Sequence, residues 1–348
     1  MSARERLLEQ ASQRILIMDG AFGTEIQTKK LVEADYAGDL ALGHEQQGNN
    51  DILALTKPEV LAGITRDYLD AGSDIVSTNT FSANRISQAD YGAQGLVDAI
   101  NRASAGIARQ LADDYAASDG RPRFVAGAIG PTNKTLSLSP EVEDPGYREI
   151  TFDFLADVYK EQAAALVAGG IDFILIETIF DTLNAKAAIF AVKQLEAELG
   201  REVPVMLSMT LTDLSGRNLS GHTVEAFWHS VRHANPVAIG LNCSFGAQQL
   251  RPHVQHLAKL TDSLILAYPN AGLPNELGEY DELPETTAGF LRDWADQGMV
   301  NMLGGCCGST PAHIAAIARA VAGKAPRVPA KVAPVTRLAG LEPFIMAS

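Results

Sequence analysis

Phe152–Glu177 reads FDFLADVYKEQAAALVAGGIDFILIE, and its two ends follow different patterns. Phe152–Gly169 carries its apolar residues at helical spacing and stops at Ala168-Gly169-Gly170, as a helix closed by glycine does. Phe173–Glu177 is an unbroken apolar run ending on a carboxylate, the pattern of a strand buried on both faces. The same kind of run recurs at Arg14–Asp19, Asp74–Thr78, Phe124–Ala128, Val205–Met209, Ala238–Asn242, Leu264–Tyr268 and Val300–Gly304. Amphipathic patterns lie between them. One opens at Thr56-Lys57-Pro58-Glu59, with Thr56 as the expected N-cap, and closes at Ala71-Gly72. Others cover 96–116, 182–199, 223–234, 246–259, 285–298 and 311–322. Strands alternating with helices imply a parallel sheet covered on its outer face. Eight such units suggest an α/β protein closed into a (β/α)8 TIM barrel, with an open doubly wound sheet as the alternative.

The 348 residues carry 28 Lys plus Arg against 42 Asp plus Glu, a net charge of −14. Nucleic acid and anionic membranes both need a basic face, so neither is expected as a partner. With 46% hydrophobic and 20% charged residues the chain is too apolar for disorder. No apolar run approaches the roughly 18 residues of a membrane span. The start, MSARERLLEQASQR, lacks the apolar core of a signal peptide and reads as a short amphipathic helix. A reducing, cytoplasmic setting is the expectation, with the three cysteines as thiols or metal ligands. The barrel is expected to occupy residues 1–325. Residues 326–348 are expected to form an extended tail, because 325–337 (APRVPAKVAPVTR) is rich in Pro, Ala and Lys. Gly20–Thr56 and Ile129–Ile150 are the longest stretches without a helical pattern, and both follow the carboxyl end of a strand, where barrel enzymes carry their sites.

All three cysteines stand at such ends: Cys243 after the sixth run, Cys306 and Cys307 after the eighth. Buried structural thiols are the plain alternative for any one of them, and a vicinal disulfide is another. The pair is set in Gly304-Gly305-Cys306-Cys307-Gly308, where glycines let the backbone turn and neighbouring side chains face one point. Three thiolates from two strand tips leave one position of a tetrahedral zinc open. Such a centre carries a net negative charge and is a poor generator of hydroxide. It suits a fourth thiolate, whose proton it removes at neutral pH, so alkyl transfer onto a thiol is the expected chemistry.

Asp19 and Glu177 end the first and fourth runs, and either could bind the ammonium of an amino acid. Strand-end caps or ion pairs are the alternative. The loop Gly20-Ala21-Phe22-Gly23-Thr24 offers successive backbone N–H groups to a carboxylate. Asn79, Asn242 and Asn270 also end strands, a position where asparagine is usually a turn former. The seven histidines follow no ligand spacing, and His222 reads as a helix cap. Neither a G-x-G-x-x-G after a strand nor a G-x-x-x-x-G-K-[ST] is present, so nucleotide binding is unsupported. The D-x-H-x-x-G pattern of cobalamin carriers is also missing.

The chain resembles the homocysteine S-methyltransferase family over about residues 10–343. NCSFG and GGCCG carry the likeness to the wider family, together with DGAFGTEIQ, GNNDILALTKPEV, DIVSTNTFSAN and ILIETIFDTLNAKAA. GPTNKTLSLSPEVEDPGYREITFD and GLPNELGEYDE, the latter within YPNAGLPNELGEYDE, are similar to the cobalamin-dependent methionine synthase branch, in its homocysteine-binding module. The resemblance implies a (β/α)8 barrel, zinc on Cys243, Cys306 and Cys307, and the substrate's ammonium on Asp19 and Glu177. It implies Asn270 as a fourth zinc ligand before substrate binds. Multidomain members continue into folate- and cobalamin-binding modules beyond the point matching Pro343. The expected activity is therefore methylation of homocysteine to methionine with methylcobalamin supplied by a separate folate- and cobalamin-binding polypeptide. A self-contained transferase using S-methylmethionine or a betaine is the alternative.

Overall fold

The computed structural model describes residues 1–346. Strands β1 Leu16–Ile17, β2 Ile75–Ser77, β3 Phe124–Ile129, β4 Phe173–Ile179, β5 Val205–Met209, β6 Ala238–Gly246, β7 Leu264–Asn270 and β8 Met302–Leu303 form one parallel sheet. Chain neighbours are sheet neighbours, and β8 pairs back onto β1. Met18 bridges Ile75, and Asp74 N–H donates to the Ile17 carbonyl at 2.7 Å, so the ring closes. The fold is a (β/α)8 TIM barrel, with every strand overlapping its expected run.

Alternate side chains of the strands face opposite ways. Leu16, Phe124, Phe173, Leu175, Met206, Leu266 and Met302 belong to one buried cluster inside the barrel, where the Phe124 and Phe173 rings stand 5.7 Å apart. Leu7 and Ala11 of the first helix, Ala3–Gln13, join that cluster and plug the floor. Ile17, Ile174, Ile176, Leu207 and Ile265 belong to a second cluster shared with the outer helices. Each such side chain, fully buried, contributes roughly 1.5–3 kcal/mol. Asp74 ties the floor together. It takes both Arg14 Nη atoms at 2.6 and 2.8 Å, Arg121 at 2.9 Å and the Ile17 N–H at 2.9 Å.

The structure corrects three local expectations. Thr56 ends a short helix, Leu53–Thr56, and does not cap the next; Pro58 holds Lys57 out of helical geometry, so the break falls at Lys57 before helix Pro58–Asp70. The stretch after β1 is not helix-free. It holds Phe22–Thr28, Glu33–Ala37 and Leu53–Thr56, pieces too short to print a period on the sequence. The cap of helix Val224–Val231 is Thr223, with His222 one residue earlier. The stretch after β3 has no helix or strand from residue 130 to 151. It is held by Asp181 and Asn184, which accept from the backbone N–H groups of Ser137 and Leu136 at 2.9 Å each.

The tail runs back over the barrel. Arg327 is buried and donates to the carbonyls of Ala258, Ser263 and Thr261. Beyond it a hairpin, β9 Arg337–Ala339 and β10 Pro343–Ile345, packs on helix Val224–Val231.

Candidate active site

The carboxyl ends of the strands surround a cavity of about 680 Å³. Cys243, Cys306 and Cys307 share its wall with Asp19, Glu177 and Asp51, and no Lys, Arg or His lines it among the described residues. All three cysteines are free thiols, so the vicinal pair is not a disulfide. The three sulfurs lie within 4.8 Å of one another, and Cys243 Sγ is 3.9 Å from Cys307 Sγ. Thiolates on a tetrahedral zinc, at about 2.3 Å each, stand about 3.8 Å apart. The soft donor set and its spacing therefore fit zinc. Hydrogen bonds from Cys243 and Cys306 pull the Cys307 thiol down to about 3, while contacts with Cys243 and Cys307, together with burial, hold Cys306 well above its usual range.

Two irregular strand ends aim these groups. In β6 the pairing shifts between Asn242 and Gly246, and Cys243 and Ser244 take left-handed backbone, φ 62° and 60°. In β4 it shifts between Ile176 and Ile179, with Thr178 at φ 54°. Left-handed backbone costs a β-branched residue most, of order 1–3 kcal/mol, and persists only where neighbours enforce it. The neighbour is Asn242. Its Oδ1 accepts from Thr178 N–H at 3.1 Å and Ser208 Oγ at 2.7 Å, and its Nδ2 donates to Thr178 Oγ1 at 2.9 Å and Cys306 Sγ at 3.8 Å. The β8 turn is fixed by Cys306 N–H on the Pro269 carbonyl at 2.8 Å and Ala271 N–H on the Cys307 carbonyl at 2.9 Å. Gly304 admits Asp19: a Cβ there would stand 2.8 Å from the Asp19 carbonyl oxygen. Gly308 takes φ 78°, and the Tyr280 ring packs where its Cβ would be.

Asp19 accepts from Ser77 N–H at 2.7 Å and from Ser77 Oγ at 2.9 Å. Burial raises it to about 7 against those bonds. Glu177 accepts from Tyr268 OH at 3.0 Å and is also raised to about 7, by burial first and then by the nearby Asp19 and Cys307. Neither carboxylate forms a salt bridge among the described residues. A buried and a half-buried acid facing an open cavity without a cationic partner could take a ligand's ammonium. The turn Ala21-Phe22-Gly23 lines the same wall.

Sequence reasoning missed Asp51, Tyr280 and the role of Asn242. Asp51 is buried, accepts only from Ser82 N–H at 3.2 Å, and is raised to about 7 by burial. It stands beside Asn49, whose amide is locked to Gln46 and Gln88 at 3.1 and 2.9 Å. These amides pin the β1 loop to the β2 loop, a link between distant residues that no local pattern reveals. Tyr280 packs against Gly308, next to Cys307, and helps to hold that thiol down. Asn270, at the end of β7, is buried and its Oδ1 has no hydrogen-bond partner. His222 contacts Ser220 Oγ at 3.1 Å and lies outside the cavity wall.

The family model for homocysteine S-methyltransferase matches residues 16–321. The chain belongs to that family. Its fold is similar to that of the homocysteine methyltransferase MmuM from Escherichia coli in its metallated form, at 25% identity and a TM-score of 0.69, covering 91% of this chain and 99% of that one. The oxidized form of MmuM matches at 23% identity with a TM-score of 0.70, covering 92% of this chain and 99% of that one. The apo form matches at 23% identity with a TM-score of 0.65, covering 92% and 100%. Homocysteine is the substrate of that family, and methyl transfer is its reaction class. No helix among the described residues is long and apolar enough to cross a membrane.

Proposed function

We propose that the chain methylates the sulfur of homocysteine to give methionine, with zinc on Cys243, Cys306 and Cys307. The observation that carries this reading is the meeting of three free thiols with two unpaired carboxylates in a cavity without cationic side chains. Zinc, when bound, supplies a soft centre that keeps an incoming thiol deprotonated at neutral pH. Asp19 and Glu177 take the substrate's ammonium, and the N–H groups of Ala21, Phe22 and Gly23 take its carboxylate. That anchoring turns the substrate's sulfur toward the cysteines. Asn270, with its unpartnered Oδ1, is the residue that would supply a fourth, oxygen ligand to the zinc in the absence of substrate. Transfer is one in-line displacement. The sulfur's electron pair forms the new S–C bond while the donor–methyl bond breaks, and its electrons leave with the donor. No general acid is required. A reducing, cytoplasmic setting accords with three free thiols.

The proposed donor is methylcobalamin on a separate folate- and cobalamin-binding polypeptide. Its support is the likeness of the β3 and β7 loops to the methionine synthase branch. The cavity of about 680 Å³ is larger than homocysteine fills and leaves room at its mouth for a donor's methyl group to approach, whichever donor carries it. A second reading, a self-contained transferase using S-methylmethionine or a betaine, also has an observation behind it. Asp51, Phe81 and Tyr91 line one wall, a carboxylate with aromatic rings that suits a sulfonium or quaternary ammonium. Turnover of homocysteine with each donor, with and without zinc, separates the two. The first reading expects loss of the methyl–cobalt absorbance with methylcobalamin, and the second expects methionine from the small cation alone. Metal-free protein that methylates homocysteine at the full rate would overturn both.

A further inference from the structure

Asn242 is fully buried, and two of the three residues its side chain bonds, Thr178 and Cys306, line the cavity, the third being Ser208 of β5. Its orientation is forced. Thr178 N–H can only donate, so Oδ1 must face it, and turning the amide over would set two donors against each other. The NH₂ group therefore points at Thr178 Oγ1 and Cys306 Sγ. One amide thus spans from the metal-binding thiols to the residue that follows Glu177. Thr178 is held at φ 54° by bonds to both ends of that amide, and its backbone sets where the Glu177 carboxylate lies.

We infer that Asn242 is a positioning residue that couples occupation of the three-cysteine centre to the grip of Glu177 on the substrate's ammonium. The inference rests on the proposed roles of Cys306 and Glu177. Fixing Cys306 fixes the sulfur that the NH₂ group meets. The amide then holds Thr178, and with it Glu177, in one place. By linkage a coupled ligand is gained equally in the other direction: an amino acid at Glu177 strengthens the hold on metal.

The coupling is read with 2-aminobutyrate, which has homocysteine's ammonium and carboxylate but no sulfur to reach a metal. Its dissociation constant is measured by calorimetry on zinc-loaded and zinc-free protein. The ratio between the two forms cancels any charge that a variant adds. Wild type is expected to bind it about 5-fold or more tightly with zinc, the lower end of common coupling strengths. In Asn242→Asp, which keeps the shape but loses the NH₂ donor, the ratio falls to about one. Zinc affinity, measured by chelator competition, falls about 10- to 100-fold, as it does when a hydrogen bond to a ligand is lost. Thr178→Val keeps the backbone branching and removes only Oγ1. It lowers the ratio in the same way and leaves zinc affinity near wild type, and it decides the matter alone if Asn242→Asp does not fold. A wild-type ratio of one, or a wild-type ratio preserved in Thr178→Val, overturns the inference. Wild type that binds no zinc sinks the reading of the cysteines itself, which is a separate and visible result.

Discussion

Cys243 Sγ lies 3.9 Å from Cys307 Sγ although 64 residues separate them in the chain. Two features of the barrel produce that meeting. Strands β6 and β8 flank β7, so their carboxyl ends are close. The left-handed turn at Cys243 and Ser244 then swings the first thiol toward the glycine-lined turn that carries the other two. Each cysteine should be needed for the metal. Cys243→Ser, Cys306→Ser and Cys307→Ser are each expected to retain the barrel's circular dichroism and to lose at least about 100-fold in zinc affinity. Stoichiometric zinc on any one of them after dialysis against a chelator would contradict that role.

Asp19 should act oppositely on binding and on stability. Its carboxyl is raised to about 7 by burial, so the native state holds a proton more tightly than the unfolded chain does. Stability tied to such a group is present at low pH and is lost as pH rises through about 7. Asp19→Asn is therefore expected to raise the melting temperature at pH 8 and to leave it nearly unchanged at pH 4. Homocysteine affinity should fall by about 2–5 kcal/mol, the cost of removing one partner of a buried charge pair. A melting temperature lowered at pH 8, or binding left intact, would count against a ligand-directed carboxylate.

Substrate capture should titrate near neutrality. Asp19 and Glu177 both reach about 7 in the free protein, and only their charged forms attract an ammonium. kcat/KM for homocysteine is expected to climb through about pH 7 and to level off above it, since this ratio reports groups of the free enzyme. A profile flat from pH 5.5 to pH 8.5 would show that these acids do not receive the substrate.

Asp51 separates the two donors. If a small cation supplies the methyl group, Asp51→Asn should lower kcat/KM for that donor at least about 10-fold and leave the homocysteine dissociation constant unchanged. With methylcobalamin the same substitution should change turnover less than about threefold. Equal losses with both donors would place Asp51 in homocysteine binding.

The barrel and the thiols were readable in the sequence for physical reasons. Parallel strands covered on both faces print largely apolar runs, so FILIE marks β4, and its counterparts, some broken by a polar residue as in VNMLG, mark the rest by recurring between helical patterns. Cysteine, Asp19 and Glu177 stand where such runs stop. The devices that aim them were not readable. Left-handed backbone at Thr178, Cys243 and Ser244 follows from contacts made across the barrel, and these residue types give no local sign of it. Asn242 looks like any strand-end asparagine until its amide is seen to join β4, β5 and β8. Arg327, in a stretch read as extended tail, spends its guanidinium on three backbone carbonyls of the barrel.

The central claim is that three cysteine sulfurs hold one metal ion and leave room for the substrate's own. Zinc K-edge absorption on the loaded protein, with and without homocysteine, tests it most directly. The expected result is three sulfur neighbours at about 2.3 Å without substrate and four with it. Fewer than three sulfurs, or a count that homocysteine does not change, would contradict the account.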